Sequence, residues 1–331
     1  MKNFLGGYSG LVLVSSLLTA AGCATPGDGR PDAAEPGKFP SVTFHGEAST
    51  LGATVRRLGE ECGGGLVLMN GLEERPVGPV KLHRNDYEFL VRRLTQETGL
   101  VAHATAYYYF LHPPEYEVLR SINVEGVLAP RYAEPRTSIS FGNGTRLYNV
   151  FGVLSRNLGI TVVADNVVAE TPCGEFFLTD APLPAVLNAI LQSARLSPQA
   201  FAIESTDEYI FIRSMANRNP SGALLNAEAL TPDQQQLLAR RVYVELPRQP
   251  DTAEQVLVYQ AALTLEATLP ALSAQLGCPV RVAPGLEDLP VNFAVMTHVR
   301  VATVMDLIVR QWPIAEFGYE VVGTEIRIRR R

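Results

Sequence analysis

The residues of this chain that could do chemistry are scattered, and their spacing fits no common catalytic or metal-binding pattern. No histidine has another histidine or a carboxylate at the i, i+4 spacing by which a helix presents zinc ligands. The run Gly63-Gly64-Gly65 lacks a following Lys-Ser or Lys-Thr and follows a predicted helix instead of opening one, which argues against a phosphate-binding loop. The pairs Glu60-Glu61 and Glu73-Glu74 are expected on solvated surface. The five histidines are His45, His83, His103, His112 and His298. We therefore predict no catalytic, cofactor-binding or metal-binding residue, and expect that the protein is not an enzyme.

One cysteine, Cys23, stands in a context that favours covalent modification. Lys2, the mainly apolar run 11–18 and the small residues Ala20-Ala21-Gly22 are typical of an export signal. The ending Ala20-Ala21-Gly22-Cys23 resembles the lipobox of bacterial lipoproteins, with Ala20 in place of the usual Leu. The resemblance implies that residues 1–22 are removed and that Cys23 carries lipid, such as palmitate, on its sulfur and nitrogen. An ordinary cleaved signal with an incidental Cys23 is the alternative.

The segment after Cys23 suits a tether. Residues 23–39 are rich in Pro, Gly and Ala and lack an apolar face, as expected of a flexible spacer. Ala24 is not Asp, and by analogy with bacterial lipoproteins this favours an outer-membrane location, with the protein facing the periplasm. The formal net charge of -6 argues against nucleic acid as the main partner.

The rest of the chain is organised around a helix pattern that occurs three times. In each copy, apolar residues spaced 4-3-4 fall on one helical face and a Gly follows, which is typical of a helix that ends in the left-handed conformation. A second apolar face begins 36 positions after the first in every copy, at Tyr87, Leu183 and Val301. The first faces are Leu51, Val55, Leu58 and Cys62; Leu147, Phe151, Leu154 and Leu158; and Leu265, Leu269, Leu272 and Leu276. The sequence therefore predicts a tandem-repeat protein.

Each repeat is predicted to run β-α-β-β-α-β-β, because short apolar runs flank the two helices. A helix with a single apolar stripe must cover one face of a small sheet, so we expect an α+β chain of three tandem two-layer sandwiches with the helices on one face of a mixed sheet. The predicted boundaries are 40–112, 137–213 and 242–331 for the repeats, with connectors at 113–136 and 214–241.

Some details of this order are open in the sequence. Val256–Tyr259 is expected to supply strand one of repeat three and to pair with residues 242–246. Pro270 lies inside the first helix pattern of that repeat, so the helix either begins late, near Thr268, or kinks there. The first connector is expected to dock through Val118, Leu119, Ile122, Val124 and Val127, and the second to contain a short helix that Thr231 caps.

Two stretches carry a family resemblance. "VLSRNLGITVVADNVV" at Val153–Val168 and "FFLTDAPLPAVLNAIL" at Phe176–Leu191 resemble the secretin and TonB short N-terminal domain and the related periplasmic N-domains of secretins. The resemblance implies interaction modules, which form stacked rings in secretion and pilus secretins or transfer signals before outer-membrane receptors. Because the sequence given ends at Arg331, we expect neither a secretin pore nor a receptor barrel. We therefore expect interaction modules tied to a lipid.

The expected function is that of a scaffold or adaptor lipoprotein that docks to an envelope complex of the secretin or pilus type, with self-association as a further option. Polar outward faces, with Arg56-Arg57, Glu60 and Arg92-Arg93 in repeat one, would carry the contacts, and Arg329-Arg330-Arg331 is expected to be a charged tail. The alternative is a ligand- or signal-binding module with a cleft between repeats. An enzyme would need a histidine, an acid and a nucleophile brought together by the fold.

Overall fold

Helices and short strands alternate along the chain, which is α+β as predicted. This structure is a computed structural model. It describes residues 42–85, 87–219, 221–247 and 262–331. The predicted signal 1–22, the whole tether 23–39 with Cys23, and Val256–Tyr259 lie outside these ranges.

Three stretches of the chain are named here by their strands. Segment 1 is 42–112, segment 2 is 136–214 and segment 3 is 241–330. Segment 1 contains β1 Val42–Gly46, β2 Ser49–Thr50, α1 Leu51–Cys62, β3 Leu66–Leu68, β4 Pro76–Val77, β5 Val80–Asn85, α2 Tyr87–Thr98, β6 Val101–Ala104 and β7 Tyr109–His112. Segment 2 contains β8 Arg136–Phe141, α3 Leu147–Leu158, β9 Val162–Ala164, α4 Asn166–Ala169, β10 Phe176–Pro182, α5 Leu183–Ser193, β11 Phe201–Ser205 and β12 Ile210–Ser214. After α6 Pro232–Ala239, segment 3 contains β13 Arg241–Glu245, β14 Leu263–Thr264, α7 Leu265–Leu276, β15 Val280–Val282, β16 Pro290–Val291, β17 Val295–Arg300, α8 Val301–Arg310, β18 Phe317–Val322 and β19 Glu325–Arg330.

The same strand pairing occurs in each segment. The first strand pairs antiparallel with the strand before the second helix: β1 with β5, β8 with β10, and β13 with β17. The short strand after the first helix pairs parallel with the last strand: β3 with β7, β9 with β12, and β15 with β19. The last strand closes an antiparallel hairpin with the strand before it.

The helix ends follow from local chemistry. The side chains of Thr50 and Thr264 accept hydrogen bonds from backbone N–H groups in the first turns of α1 and α7, which caps these helices. The first helix of each segment ends at a glycine with a left-handed backbone, Gly63 (φ 65°), Gly159 (φ 63°) and Gly277 (φ 61°). This conformation costs other residues about 1–2 kcal/mol.

Two details of segment 3 differ from expectation. The place of its first strand is taken by β13, which pairs with β17 as β1 pairs with β5, and the strand expected at Val256–Tyr259 lies outside the described residues. Helix α7 begins at Leu265 and runs through Pro270, so the late start near Thr268 was wrong. The ring of Pro270 is exposed, and the cap by Thr264 holds the first turn ahead of it.

The two connectors between segments are docked. In the first, which holds 3₁₀ helices at Pro114–Ser121 and Pro130–Tyr132, Leu119, Ile122 and Val124 are buried as expected, whereas Val118 and Val127 are half exposed. In the second, the side chain of Thr231 accepts from the backbone of Gln234 and the Gln234 side chain accepts in return, so α6 begins with the expected cap.

Candidate binding clefts at the segment junctions

Two clefts lie where one segment meets the next, at equivalent places in the fold. In each, the hairpin turn of the earlier segment faces the start of the first strand and the start of the second helix of the later segment. The cleft between segments 2 and 3 has a volume of about 460 Å³, and the cleft between segments 1 and 2 about 480 Å³. We call these contact regions junction 1–2 and junction 2–3.

A shared turn motif shapes both clefts. The hydroxyl of Thr105 accepts from the backbone N–H of Tyr107 and Tyr108 and donates to the carbonyl of Tyr108. The hydroxyl of Thr206 accepts from the backbone N–H groups of Glu208 and Tyr209 in the same way. The local pattern Thr-x-x-Tyr therefore fixes the turn in segments 1 and 2 by side-chain hydrogen bonds.

Opposite charges fill the cleft at junction 2–3. The Glu208 carboxylate accepts from Arg300 Nε (2.9 Å) and Thr303 Oγ1 (2.5 Å), and Arg241 Nη2 lies 3.2 Å away. Burial would raise the pKa of Glu208, but the hydrogen bonds from Thr303 and Arg300 outweigh it and hold that pKa below its ordinary value. Asp306 accepts from the backbone N–H of Gly222 and Ala223, while burial raises its pKa. The cleft thus contains two guanidinium groups that its own carboxylate already binds.

The cleft at junction 1–2 is less charged. Arg136 forms an ion pair with Asp180, and both side chains are exposed. At its base, Tyr108 Oη donates to Gln192 Oε1 at 2.9 Å, and both groups are buried. Its remaining lining residues are Thr105, Ala106, Tyr107, Glu125, Ala133, Glu134, Pro182, Pro184, Ala185 and Asn188.

Behind the charged cleft, a buried arginine joins segments 2 and 3. Arg310 at the end of α8 binds Glu204 of β11 (Nη2 to Oε2, 2.5 Å), and its side chain is only 3% exposed. Its guanidinium carbon also lies 4.2 Å from the ring centroid of Phe211. Burial would raise the pKa of Glu204, but hydrogen bonds from Arg310 and Tyr209 hold it below its ordinary value. Burial and Glu204 together raise the pKa of Tyr209 to about 12.

A second buried network at junction 2–3 centres on Asp165, which has no exposed surface. Its Oδ2 accepts from Ser214 N (2.7 Å), Ser214 Oγ (2.9 Å) and Asn217 Nδ2 (2.9 Å), and its Oδ1 accepts from Val168 N (3.0 Å). Asn217 and Asn219 then donate to the carbonyls of Arg310 and Val309 at the end of α8. These bonds satisfy carbonyls that a helix end leaves without an intrahelical partner.

Junction 1–2 is built differently, by a continuous sheet. Strand β3 pairs antiparallel with β10, so segments 1 and 2 share one five-stranded sheet in the order β6-β7-β3-β10-β8. Arg56 of α1 binds Glu175 through two hydrogen bonds of 2.8 Å, with Glu175 nearly buried. Arg56 is exposed, as expected of an outward face, but it also forms an ion pair with a residue far along the chain. Glu73 was expected in solvent but is buried, and burial raises its pKa.

The other predicted charges mostly form local pairs. Arg57 and Arg92 bind Glu61 and Glu88 on their own helices, as solvated faces do. Arg329 and Arg330 are not a free tail, because they belong to β19 and Arg329 binds Glu320.

The predicted site residues can be placed only in part. Cys23 lies outside the described residues. Within residues 42–331, apart from the gaps named above, no group of three or more His, Cys, Asp or Glu residues is arranged to hold a metal ion. Over the same residues, no helix is long and apolar enough to span a bilayer.

A cleft between repeats was raised from the sequence only as an alternative and without naming any of its residues, although two signals were present. The pattern Thr-x-x-Tyr recurs at Thr105–Tyr108 and Thr206–Tyr209. Helices α5 and α8 are apolar on two faces, and residues of both faces are buried in each, whereas α2 buries one face. A helix that is apolar all round must contact protein on more than one side.

The chain was compared with protein-family models, with curated proteins and with solved structures, and none of them matches it.

Proposed function

We propose that this chain is a non-catalytic scaffold or adaptor lipoprotein, built from three tandem modules that resemble the periplasmic N-domains of secretins. It would be anchored by Cys23 in the outer membrane, face the periplasm, and dock to an envelope assembly of the secretin or pilus type. The observation that carries the proposal is the recurrence of one strand pairing in three segments, joined by junctions that are buried.

The module arrangement is supported by how each segment completes its neighbour. Helix α5 packs against β3 and β7 of segment 1 as well as against its own strand β10. At the next junction, Val163 and Phe211 of segment 2 belong to the hydrophobic core of segment 3. A module that leaves one sheet face for its successor is typical of stacked repeat proteins, whose extended surfaces serve binding.

A role in binding, as opposed to catalysis, is further supported by the polar side chains at junction 2–3, which already have partners within the protein. In the charged cleft at junction 2–3, Glu208 already binds Arg241, Arg300 and Thr303, so these groups act as structural contacts between segments. The buried Asp165 and Arg310 likewise have protein partners. Chemistry on a bound substrate would need groups that are free to reach it.

Crosslinking in intact cells tests the scaffold role. After crosslinking of envelopes, the full-length chain should co-purify with components of one envelope complex. Charge reversal at Arg92, which is exposed and forms an ion pair with Glu88 of its own helix, should weaken that recovery without unfolding the protein. Arg56 is unsuitable for this purpose because its reversal would disturb junction 1–2. Recovery of the chain alone, with the folded protein in the membrane, would contradict the proposal.

The lipid anchor has a separate test. Cys23→Ser should release the protein from the membrane fraction and abolish labelling by a fatty-acid probe, whereas Cys62→Ser should leave labelling unchanged. Equal labelling of the Cys23→Ser variant would rule out Cys23 as the lipid site.

The alternative function, ligand or signal binding between segments, is favoured by one observation, the two arginines that line the cleft at junction 2–3. A carboxylate ligand would have to displace Glu208 from them. Small carboxylates should then raise the thermal midpoint of the wild-type chain but not of the Arg241→Gln/Arg300→Gln variant. If small carboxylates shift the thermal midpoint of neither protein, ligand binding in this cleft is ruled out and the scaffold role remains.

A further inference from the structure

The two ends of the segment array expose the two complementary halves of a junction. At each internal junction, the later segment contributes its second helix and the strand before it, and the earlier segment contributes an open sheet edge and the outer face of its last strands. Segment 1 has no predecessor and segment 3 has no successor among the described residues. Segment 1 therefore presents α2 and β5, and segment 3 presents the edge of β15 and the outer face of β19.

The strand edges at the two ends of the array can be compared with the two strands that pair at junction 1–2. Strand β5 of segment 1 takes the place of β10, and β15 of segment 3 takes the place of β3. At that junction, Phe176 and Phe177 of β10 pair with Val67 and Leu66 of β3. In segment 1 the position of Phe176 is held by Val80, since Val80 pairs with the last residue of β1 as Phe176 pairs with the last residue of β8. In the part of the chain that the structure describes, β5 pairs only with β1, and β15 pairs only with β19. An unpaired strand edge is a template for strand addition.

The helix at the amino-terminal end also has an unused face. The third residue of the second helix is Ala185 in α5 and Thr303 in α8, and both line the cleft against the preceding hairpin. The same position in α2 is Phe89, whose side chain is 53% exposed. At the other end of the array, Val322 at the hairpin of segment 3 is 47% exposed.

The outer face of segment 3 differs from the faces that are covered inside the chain. The middle residues of β3 and β9 are Val67 and Val163, which pair with Phe110 and Phe211. All four are buried. The corresponding pair in segment 3 is Arg281 and Arg327, and both arginines share Glu325. A contact on this face would be more polar, and so weaker, than an internal junction.

We propose that copies of this chain associate head to tail, with α2 and β5 of one copy covering the outer face of segment 3 and the β15 edge of the next. The inference rests on the tandem-module organisation proposed above. In this arrangement Phe89 contacts the hairpin at Val322, and Gln96 lies over Arg327 as Arg310 lies over Phe211. The contact joins two different surfaces, so it extends into a chain of copies instead of closing as a dimer. A membrane tether would favour this weak contact by concentrating the copies in two dimensions.

Sedimentation velocity over a range of concentrations tests the association, with the full-length chain carrying Cys23→Ser. The average mass should rise with concentration, and Phe89→Asp should abolish the rise. Val127→Asp, at a residue of similar exposure in the first connector, should not change it. A concentration-independent monomer, or an equal effect of the two aspartates, would overturn the proposal.

A gain of affinity gives a second test. Arg281→Val/Arg327→Phe installs the residue types found at the internal junctions, so association should tighten by about tenfold or more, and Phe89→Asp should reverse the gain. Association that persists with Phe89→Asp would show that the new apolar surface associates non-specifically, and would contradict the assigned contact.

Site-specific crosslinking separates this proposal from the module arrangement on which it rests. In a Cys23→Ser/Cys62→Ser background, a short bismaleimide should link Gln96→Cys to Arg327→Cys between chains and produce a ladder of oligomers. The same reagent should link Arg156→Cys to Glu245→Cys within one chain, because these exposed side chains form an ion pair across junction 2–3. Failure of the internal link would overturn the arrangement of the modules. Formation of the internal link without the ladder would overturn only the head-to-tail association.

Discussion

Junction 1–2 and junction 2–3 join equivalent surfaces by different means. Junction 1–2 extends a β-sheet from one segment into the next, and a single hydrophobic core covers both segments. At junction 2–3, the nearest strands β9 and β17 are not paired, and Thr161 Oγ1 instead accepts from Thr297 N at 2.8 Å. Most of segment 3 has its own core. Segments with the same strand pairing are therefore joined by one junction that is mainly apolar and one that contains buried polar networks.

The same helix position illustrates the difference. The tenth residue of the second helix is Gln192 at junction 1–2 and Arg310 at junction 2–3. Gln192 accepts one hydrogen bond from Tyr108, whereas Arg310 needs Glu204 to balance its buried charge. Buried ion pairs contribute less than apolar contacts of similar size, but removal of one partner is costly. We therefore expect junction 2–3 to be the more sensitive to single polar substitutions.

The largest effect should follow from Asp165→Ala. It removes the acceptor of four hydrogen bonds and leaves buried donors of Ser214 and Asn217 without a partner, at an expected cost of about 3 kcal/mol in the free energy of unfolding. Asp165→Asn keeps the shape and one acceptor oxygen, which at the place of Oδ2 can keep three of the four hydrogen bonds, so it should cost less. Chemical denaturation measures both, and equal stability of the alanine variant and wild type would contradict the role of the network.

Two helix glycines should give the next largest effects, one at each junction. A Cβ at Gly59 in α1 would fall within 3.0 Å of the ring of Phe177, and a Cβ at Gly152 in α3 within 3.0 Å of the ring of Phe293. Alanine in an open helix would stabilise the protein by about 1 kcal/mol relative to glycine. Here both Gly→Ala variants should destabilise it by about 1–3 kcal/mol, because a closely packed aromatic ring must move.

A matched control for the glycine pair is Gly126→Ala, since nothing lies within 4 Å of a Cβ at that position. Thermal unfolding should show a midpoint near that of wild type for Gly126→Ala and lower midpoints for the other two. A raised midpoint for Gly59→Ala would mean that the helix and the ring are not in contact.

Adjacent arginines allow a sharper comparison at junction 1–2. Arg56→Gln removes a bidentate ion pair with the nearly buried Glu175, and should lower the free energy of unfolding by about 1–2 kcal/mol. Arg57→Gln removes a pair with Glu61 on the same helix, where both side chains are nearly half exposed, and should cost less than about 0.5 kcal/mol. Similar losses in urea denaturation would refute the assignment of Arg56 to the junction.

How much of this could be predicted from the sequence depends on the range of each interaction. The helices, their glycine ends and the cap at Thr231 follow from local patterns, and the structure places them as expected. The partner of Arg56 is Glu175, 119 residues away, and no local pattern distinguishes Arg56 from Arg57. The burial of Glu73 likewise depends on contacts made by the folded segments. The pairing of β13 with β17 was not predicted either, since apolar alternation alone could not tell which strand pairs with β17.

The smallest effect should be a difference in pH response. Glu204 and Glu208 at junction 2–3 have lowered pKa values, so their contribution is complete above the unfolded pKa of about 4.3 and is lost as the pH falls through the lowered values. Glu73 at junction 1–2 has a raised pKa, so the folded state binds its proton more tightly than the unfolded state does. Its contribution to the free energy of unfolding therefore increases as the pH falls toward about 4.3. Glu73→Gln should abolish that increase in pH-dependent denaturation, and an unchanged pH profile would count against its burial.

Native-state hydrogen exchange tests the contrast between the junctions most directly. The slowest amides of segments 1 and 2 should open together, with one free energy and one dependence on denaturant, because β3 and β10 share a sheet and a core. The slowest amides of segment 3 should open separately at a lower free energy, because its core is largely its own and polar groups hold it to segment 2. A single free energy of opening for β3, β10 and β19 would contradict this account, and so would separate opening of segments 1 and 2.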